Sequence, residues 1–83
     1  MKVSELIEKL KKIDGNRIVI IQKDAEGNGY SPLSNLWEGS YKAETTWWGE
    51  VGLEKLTKKD IKQGYGKEDV LDGESALILE PVN

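Results

Sequence analysis

The sequence predicts a small α+β domain in which one N-terminal helix packs on an antiparallel or mixed sheet of about three to five strands. Three observations predict this class. Apolar residues recur at helical spacing near the N-terminus, an apolar β-rich run lies toward each end, and the segment between is rich in turn residues and aromatics. The 83 residues are expected to form a single domain over 1–83. Because a chain of this length has a small core, we expect self-association to supplement it.

A helix is predicted at the N-terminus, with Ser4 or Lys2 as equally possible start boundaries and Gly15 as the stop signal. Its apolar stripe would consist of Val3, Leu6, Ile7, Leu10 and Ile13. The residues between them are charged, and two Glu-to-Lys pairs at i,i+4 spacing favour the helix by about 0.2–0.5 kcal/mol each. We interpret the helix as a cover for one face of the sheet, with a partner surface as the alternative.

Two apolar runs predict strands. Residues 17–23 contain four consecutive apolar β-formers, and residues 76–80 form the matching run, which Pro81 closes. We expect strands that are buried on both faces or central in the sheet, and we expect the two to pair side by side. The remaining predicted elements are a turn at 24–29, an extended stretch at 30–37, a strand within 41–51, and short helical turns at 57–63 and 67–71.

The chain contains no Cys, no His and no Phe. Disulfides, thiolate nucleophiles, Cys-ligated metals, Ser-His-Asp triads and HExxH metal sites are therefore excluded. Catalysis by carboxylates, Lys or Tyr and binding without catalysis stay open, and we favour a non-enzyme without a cofactor.

No apolar run approaches the roughly 18 residues of a membrane span. We therefore expect no membrane partner and a cytosolic location.

The net charge of −3 is unevenly distributed along the chain. Residues 1–23 carry a net charge of +3, whereas residues 24–83 carry −6. An acidic majority argues against binding of long nucleic acids, which requires a basic face. A small anionic ligand needs only a few local donors and remains compatible with this charge.

The segment Asp24-x-Glu26-x-Asn28-Gly29 begins like an EF-hand calcium loop. The pattern then fails, because the later ligand positions hold a proline and an asparagine. We favour a glycine-rich turn stabilised by Asx-type hydrogen bonds. A ligand loop is the other alternative, since glycines let backbone N–H groups approach an anion or a base edge.

All aromatic residues are Trp or Tyr and lie in the central part of the chain: Tyr30, Trp37, Tyr41, Trp47, Trp48 and Tyr65. Adjacent residues of a strand face opposite sides, so Trp47 and Trp48 cannot enter the core from the same face. One interpretation is that one indole fills the core while the other covers a subunit contact. The alternative is a stacking surface for nucleobases, worth roughly 1–3 kcal/mol per base.

Four strings of this sequence resemble a group of small uncharacterised proteins encoded by tailed bacteriophages. They are residues 3–10, residues 23–33, residues 41–51 and the end at 81–83. The resemblance implies a context in which small phage proteins act as sponges that sequester cyclic nucleotides made by bacterial immune systems. By this analogy we expect a homo-oligomer in the cytoplasm of the infected bacterial host, with ligand pockets at subunit boundaries.

The candidate ligand-binding residues follow from this hypothesis. The aromatic residues expected to stack on bases are Trp47 or Trp48 and Tyr30 or Tyr41. The cations expected to meet phosphates are Arg17, Lys23 and Lys42. The residues expected to hydrogen-bond base edges or ribose are Asp24, Asn28, Ser31, Thr45 and Thr46. Two alternatives are a protein–protein interaction module and a metal-dependent hydrolase of such nucleotides that uses Asp24, Glu26 and another carboxylate.

Overall fold

The computed structural model describes residues 1–83 and contains one N-terminal helix and a four-stranded antiparallel sheet, which confirms the predicted α+β class. The elements in chain order are α1 (Val3–Leu10), β1 (Ile20–Gln22), β2 (Tyr30–Ala43), β3 (Gly49–Gly52), α2 (Lys58–Lys62), a 3₁₀ turn (Lys67–Asp69) and β4 (Glu74–Pro81). No helix is both long enough and apolar enough to cross a membrane.

Strand β2 pairs with each of the other strands. It runs antiparallel to β1, with Ile20 opposite Pro32, and antiparallel to β3, with Ser40 opposite Gly52. Strand β4 also pairs with β2. The predicted side-by-side pairing of the two apolar runs is therefore wrong. Hairpin partners that are close in the chain pair at a low loop-closure cost, and this favours β2 as the partner of β1.

The chain divides into two compact units, Met1–Asn35 with Leu79–Asn83 and Leu36–Ile78. In the first unit, the C-terminal residues are tied to the start of β2. The backbone N–H of Val82 donates to the Pro32 carbonyl at 2.9 Å, and that of Asn83 donates to Ser31 Oγ at 3.1 Å. Ser31 is only 3% exposed, so its hydroxyl serves as a buried anchor for the C-terminus.

Helix α1 is shorter than its apolar stripe predicts. It ends at Leu10, and the next residues continue with i→i−3 bonds, in which the Ile13 N–H donates to the Leu10 carbonyl. Such bonds tighten the last turn of a helix toward 3₁₀ geometry. The stripe side chains Val3, Ile7 and Leu10 are each about half exposed. Helix α1 therefore presents an apolar face to solvent.

The expectation that residues 17–23 are buried on both faces is wrong. Strand β1 has only three residues, and the Ile18 side chain, which precedes it, is 82% exposed. A ladder this short offers few neighbours against which apolar side chains can pack. In neither unit is any apolar side chain buried.

The second unit contains the short capped helix that the sequence predicts. Thr57 Oγ1 accepts the Asp60 backbone N–H at 3.1 Å, and the Asp60 carboxylate accepts the Thr57 backbone N–H at 3.0 Å. This reciprocal pair is a capping box that fixes the start of α2. Helix α2 is followed by Gly64 at φ +95°, a conformation that favours glycine.

Candidate functional site

The connection between β2 and β3 carries the two adjacent tryptophans. We name residues 44–48 the aromatic hairpin tip. The backbone N–H groups of Glu44 and Thr45 both donate to the Trp48 carbonyl at 3.1 Å. Thr45 Oγ1 accepts the backbone N–H groups of Trp47 and Trp48, each at 3.2 Å. The Thr45 side chain therefore supplies hydrogen-bond partners that the ladder does not offer at this turn.

Both indoles of the aromatic hairpin tip face solvent. The Trp47 side chain is 81% exposed and that of Trp48 is 47% exposed. Their ring centroids lie 6.4 Å apart, and the ring planes are inclined at 56°. The interpretation that one indole fills the core is wrong. The two residues lie in a turn, where the alternation of strand faces does not apply.

Tyr41 lies on β2 just before the aromatic hairpin tip. Its Cζ and Oη atoms are 2.8 Å from the position that a Cβ on Gly49 would occupy. The phenol ring can lie this close to the backbone only because residue 49 has no side chain. Lys42 is exposed and faces Glu50 across the ladder in the β2–β3 register. Tyr41 and Lys42 therefore lie on the regular ladder that leads into the aromatic hairpin tip.

In the first unit, Asp24 organises the loop between β1 and β2. Its Oδ1 accepts the backbone N–H groups of Glu26 at 2.9 Å and of Asn28 at 3.1 Å. The hydrogen bond from the Asn28 N–H is the main reason that the pKa of the Asp24 carboxyl is lowered from its usual value. Gly27 in this loop has φ +80°. The geometry is the Asx-type turn expected from the sequence.

The calcium-loop interpretation does not match this geometry. The Asp24 oxygen that would face an ion accepts backbone N–H groups instead. Nowhere in residues 1–83 do three acidic side chains come together as a metal-binding group.

Other predicted residues of the first unit lie on or near this loop. The Tyr30 hydroxyl is 2.8 Å from the position of a Cβ on Gly27, so the ring leans over the loop, and most of it is exposed. The aliphatic part of Lys23 lies beside Gly29. Arg17 is exposed in the turn after α1, where its backbone N–H donates to the Asp14 carbonyl. Ser31 differs from these, because its buried hydroxyl already holds Asn83.

The twelve candidate residues fall into two groups, one in each unit. The group in the first unit is Arg17, Lys23, Asp24, Asn28, Tyr30 and Ser31. The group in the second unit is Tyr41, Lys42, Thr45, Thr46, Trp47 and Trp48, and it is brought together on one hairpin. The second group is the more coherent site, because one hairpin with a regular ladder carries all six residues.

The second unit contains a cleft of about 290 Å³ that was not predicted from the sequence. None of the twelve candidate residues lines it. Its walls come from residues about 30 positions apart in the chain, including Ser40 and Asp72. The Asp72-Gly73 pair predicts a turn, but nothing in the sequence places that turn beside Ser40.

Comparison with protein-family models, with curated proteins and with solved structures finds no match for this chain.

Proposed function

We propose that the protein is a homo-oligomeric binding protein that sequesters a nucleotide-derived immune signal without chemical conversion, in a bacterium infected by the phage that encodes it. The main support is the aromatic hairpin tip, where Thr45 holds the backbone of two solvent-exposed tryptophans. Stacking of an exposed indole on a nucleobase contributes roughly 1–3 kcal/mol per base to the binding free energy. A cyclic oligonucleotide or a cyclic ADP-ribose derivative presents such bases together with phosphates.

The inclination of the two rings favours a ligand with more than one stacking surface. Rings inclined at 56° present their faces in different directions, so a single flat base cannot lie on both. Two bases of one cyclic ligand, or a base and a ribose, fit such a pair. The hydrogen bonds to Thr45 order the turn before the ligand arrives, which reduces the entropy lost on binding.

The charges near the aromatic hairpin tip support a pocket that is completed by a second copy. Lys42 is a nearby cation for a phosphate, but the tip itself contains Glu44, and Glu50 lies opposite Lys42 on β3. A dianionic ligand needs more positive charge than this hairpin supplies. A second copy can provide cations such as Lys23 or Arg17, both of which are exposed.

Helix α1 is the surface that we propose for self-association. Its exposed apolar face needs cover, since a helix of eight residues is marginal in water without packing. Its acidic residues, Glu5 and Glu8, precede its one basic residue, Lys9, and Lys11 and Lys12 follow the helix directly. Two copies of α1 packed antiparallel would set the acidic half of each helix against the basic half of the other. This self-complementarity favours a second copy of the chain as the occupant.

The experiment is a calorimetric titration of the purified protein with cyclic dinucleotides, cyclic trinucleotides and cyclic ADP-ribose isomers. We expect saturable binding of at least one of them, and recovery of that ligand unchanged after denaturation. Trp47→Ala should weaken binding by about tenfold or more, in line with the loss of one stacked base. Tyr65→Ala is the matched control, because Tyr65 is an exposed aromatic residue outside the tip. Absence of binding to every member of the panel would contradict the proposal.

A protein–protein module is the second candidate. Trp47 is largely exposed on a hairpin that is flanked by carboxylates, and Trp is enriched among interface residues that dominate binding energy. A pull-down that recovers one stoichiometric partner, lost with Trp47→Ala, together with no response to nucleotides, would favour this candidate. Conversion of the nucleotide in the presence of Mg²⁺ or Mn²⁺ would favour a hydrolase instead.

A further inference from the structure

A cleft in the second unit has the composition of a cation-binding site. Its volume is about 290 Å³, and its polar walls are Ser40 on β2, Glu54 after β3, Asp72 before β4 and Ser75 on β4. Val70 and Leu71 supply an apolar wall. The volume is close to the lower end of the range of small-molecule sites, about 300 Å³.

Ser40 gives the cleft an unsatisfied polar atom. The residue is 2% exposed, and its Oγ has no hydrogen-bond partner. Buried hydroxyls are nearly always paired, because an unpaired one loses its hydrogen bonds to water without replacement. Gly73 lies against the backbone of β2 at this point, since a Cβ at position 73 would clash with the Tyr41 carbonyl and would also lie 3.0 Å from Ser40 Oγ. Because Ser40 also lines the cleft, its unpaired hydroxyl indicates a place for a ligand atom.

The chemistry of the walls selects the ligand. Glu54 and Asp72 are carboxylates, whereas no Lys or Arg lines the cleft. Ionised carboxylates only accept hydrogen bonds, so the complementary group carries N–H donors and positive charge. Val70 and Leu71 are suited to the alkyl stem of such a ligand. A metal ion fits less well, because Mg²⁺ and Ca²⁺ take about six or more oxygen ligands and two carboxylates supply few of them.

We propose that this cleft, which we name the Ser40 cleft, binds the ammonium or guanidinium group of a small alkyl cation. Glu54 and Asp72 pair with the charged group, the Ser40 and Ser75 hydroxyls accept remaining N–H groups, and the apolar wall covers the stem. The site is independent of the proposed function, because it lies outside the aromatic hairpin tip and selects the opposite charge.

The test is a calorimetric titration with agmatine and with n-butylguanidinium, and with n-butanol as the uncharged probe. We expect the two cations to bind and butanol not to bind. Glu54→Gln and Asp72→Asn, made separately, should each weaken binding by about tenfold, the effect of losing one charge-assisted hydrogen bond. Glu50→Gln is the matched control, since Glu50 is a carboxylate of the same unit outside the cleft.

Ser40→Ala separates a ligand role from a structural one. We expect this variant to keep or raise the melting temperature of the free protein, because it removes an unpaired buried hydroxyl, and to weaken binding of agmatine. Failure of both cations to bind, equal binding of butanol, or affinities unchanged by Glu54→Gln and Asp72→Asn would overturn the proposal. Binding of Mg²⁺ or Ca²⁺ that is sensitive to these variants, without binding of the organic cations, would also overturn it.

Discussion

The hydroxyl oxygen of Thr45 lies 3.2 Å from the backbone nitrogen of Trp47 and accepts its N–H. This side chain-to-backbone bond, together with the equivalent bond to Trp48, holds the turn that presents both indoles. Ser and Thr hydroxyls commonly stabilise turns in this way. The position of the tryptophans therefore depends on a neighbouring side chain and not on burial of the indoles.

Thr45→Val should loosen the aromatic hairpin tip. The variant keeps the shape of the side chain and removes the acceptor for two N–H groups, a loss of about 0.5–1.5 kcal/mol for each hydrogen bond. We expect faster amide exchange at residues 47 and 48 and weaker binding of any nucleotide that the wild type binds. Thr45→Ser should preserve both properties. Thr46→Ala is the control for amide exchange, since no hydrogen bond of the Thr46 side chain is present, and an equal effect of that variant on the exchange of residues 47 and 48 would contradict the assigned role of Thr45.

Gly49→Ala should destabilise the second unit. An added Cβ would clash with the Lys42 backbone carbonyl and would lie 2.8 Å from the Tyr41 ring, so both the ladder and the ring would have to shift. Overpacking of this kind typically costs about 1–3 kcal/mol, and we expect that loss in the free energy of unfolding measured in urea. Gly15→Ala is the matched control, because nothing lies within 4 Å of its Cβ position. Equal stability of the two variants would show that Gly49 is not tightly packed against Tyr41 and the Lys42 carbonyl.

Charge reversal on α1 should control self-association. Replacing Glu5 and Glu8 together by lysine would place like charges opposite each other in an antiparallel pair of helices, and sedimentation velocity should show dissociation at concentrations where the wild type is associated. A variant with Lys9 and Lys12 replaced by glutamate should dissociate likewise. Mixing the two variants should restore association, because opposite charges then face each other. Dissociation that mixing does not reverse would contradict the antiparallel arrangement.

The Asp24 turn should weaken in acid. The folded pKa of Asp24 is lowered because the Asn28 N–H donates to the carboxylate, so the unfolded state binds the proton more readily. The stabilisation is present above the unfolded pKa of about 3.9 and is lost as the pH falls through the lower folded pKa. Asp24→Asn keeps an acceptor for the turn without this titration. We expect amide exchange of residues 26 and 28, measured from about pH 5 to pH 2, to respond to acid more strongly in the wild type than in this variant.

Local interactions explain why some parts of the fold were predictable. The capping box of α2 needs only Thr57 and Asp60, which are three residues apart, and the turn at Asp24 needs only its neighbours. The fold class likewise follows from the periodicity of α1 and from the two apolar runs. In each of these cases the determining contacts lie within a few positions of the chain.

Contacts between distant parts of the chain and competing local preferences explain why other features were predicted wrongly or not at all. The segment Thr45-Thr46-Trp47-Trp48 has the composition of a strand, yet the Thr45 hydroxyl stabilises a turn there. The Ser40 cleft combines residues of β2 with Asp72, which only the folded chain brings together. The exposure of Ile18 could not be read from its apolar type, because it depends on how far the β1 ladder extends.

The most direct test of the central claim is the affinity of the wild type and of Trp47→Ala for the tightest ligand in the cyclic nucleotide panel, measured by calorimetry at one salt concentration. We predict saturable binding by the wild type, release of the intact nucleotide on denaturation, and a loss of about tenfold or more in Trp47→Ala, with Tyr65→Ala unchanged. No nucleotide binding by the wild type, or equal affinity of the wild type and Trp47→Ala, would contradict the claim that this protein sequesters a nucleotide through its aromatic hairpin tip.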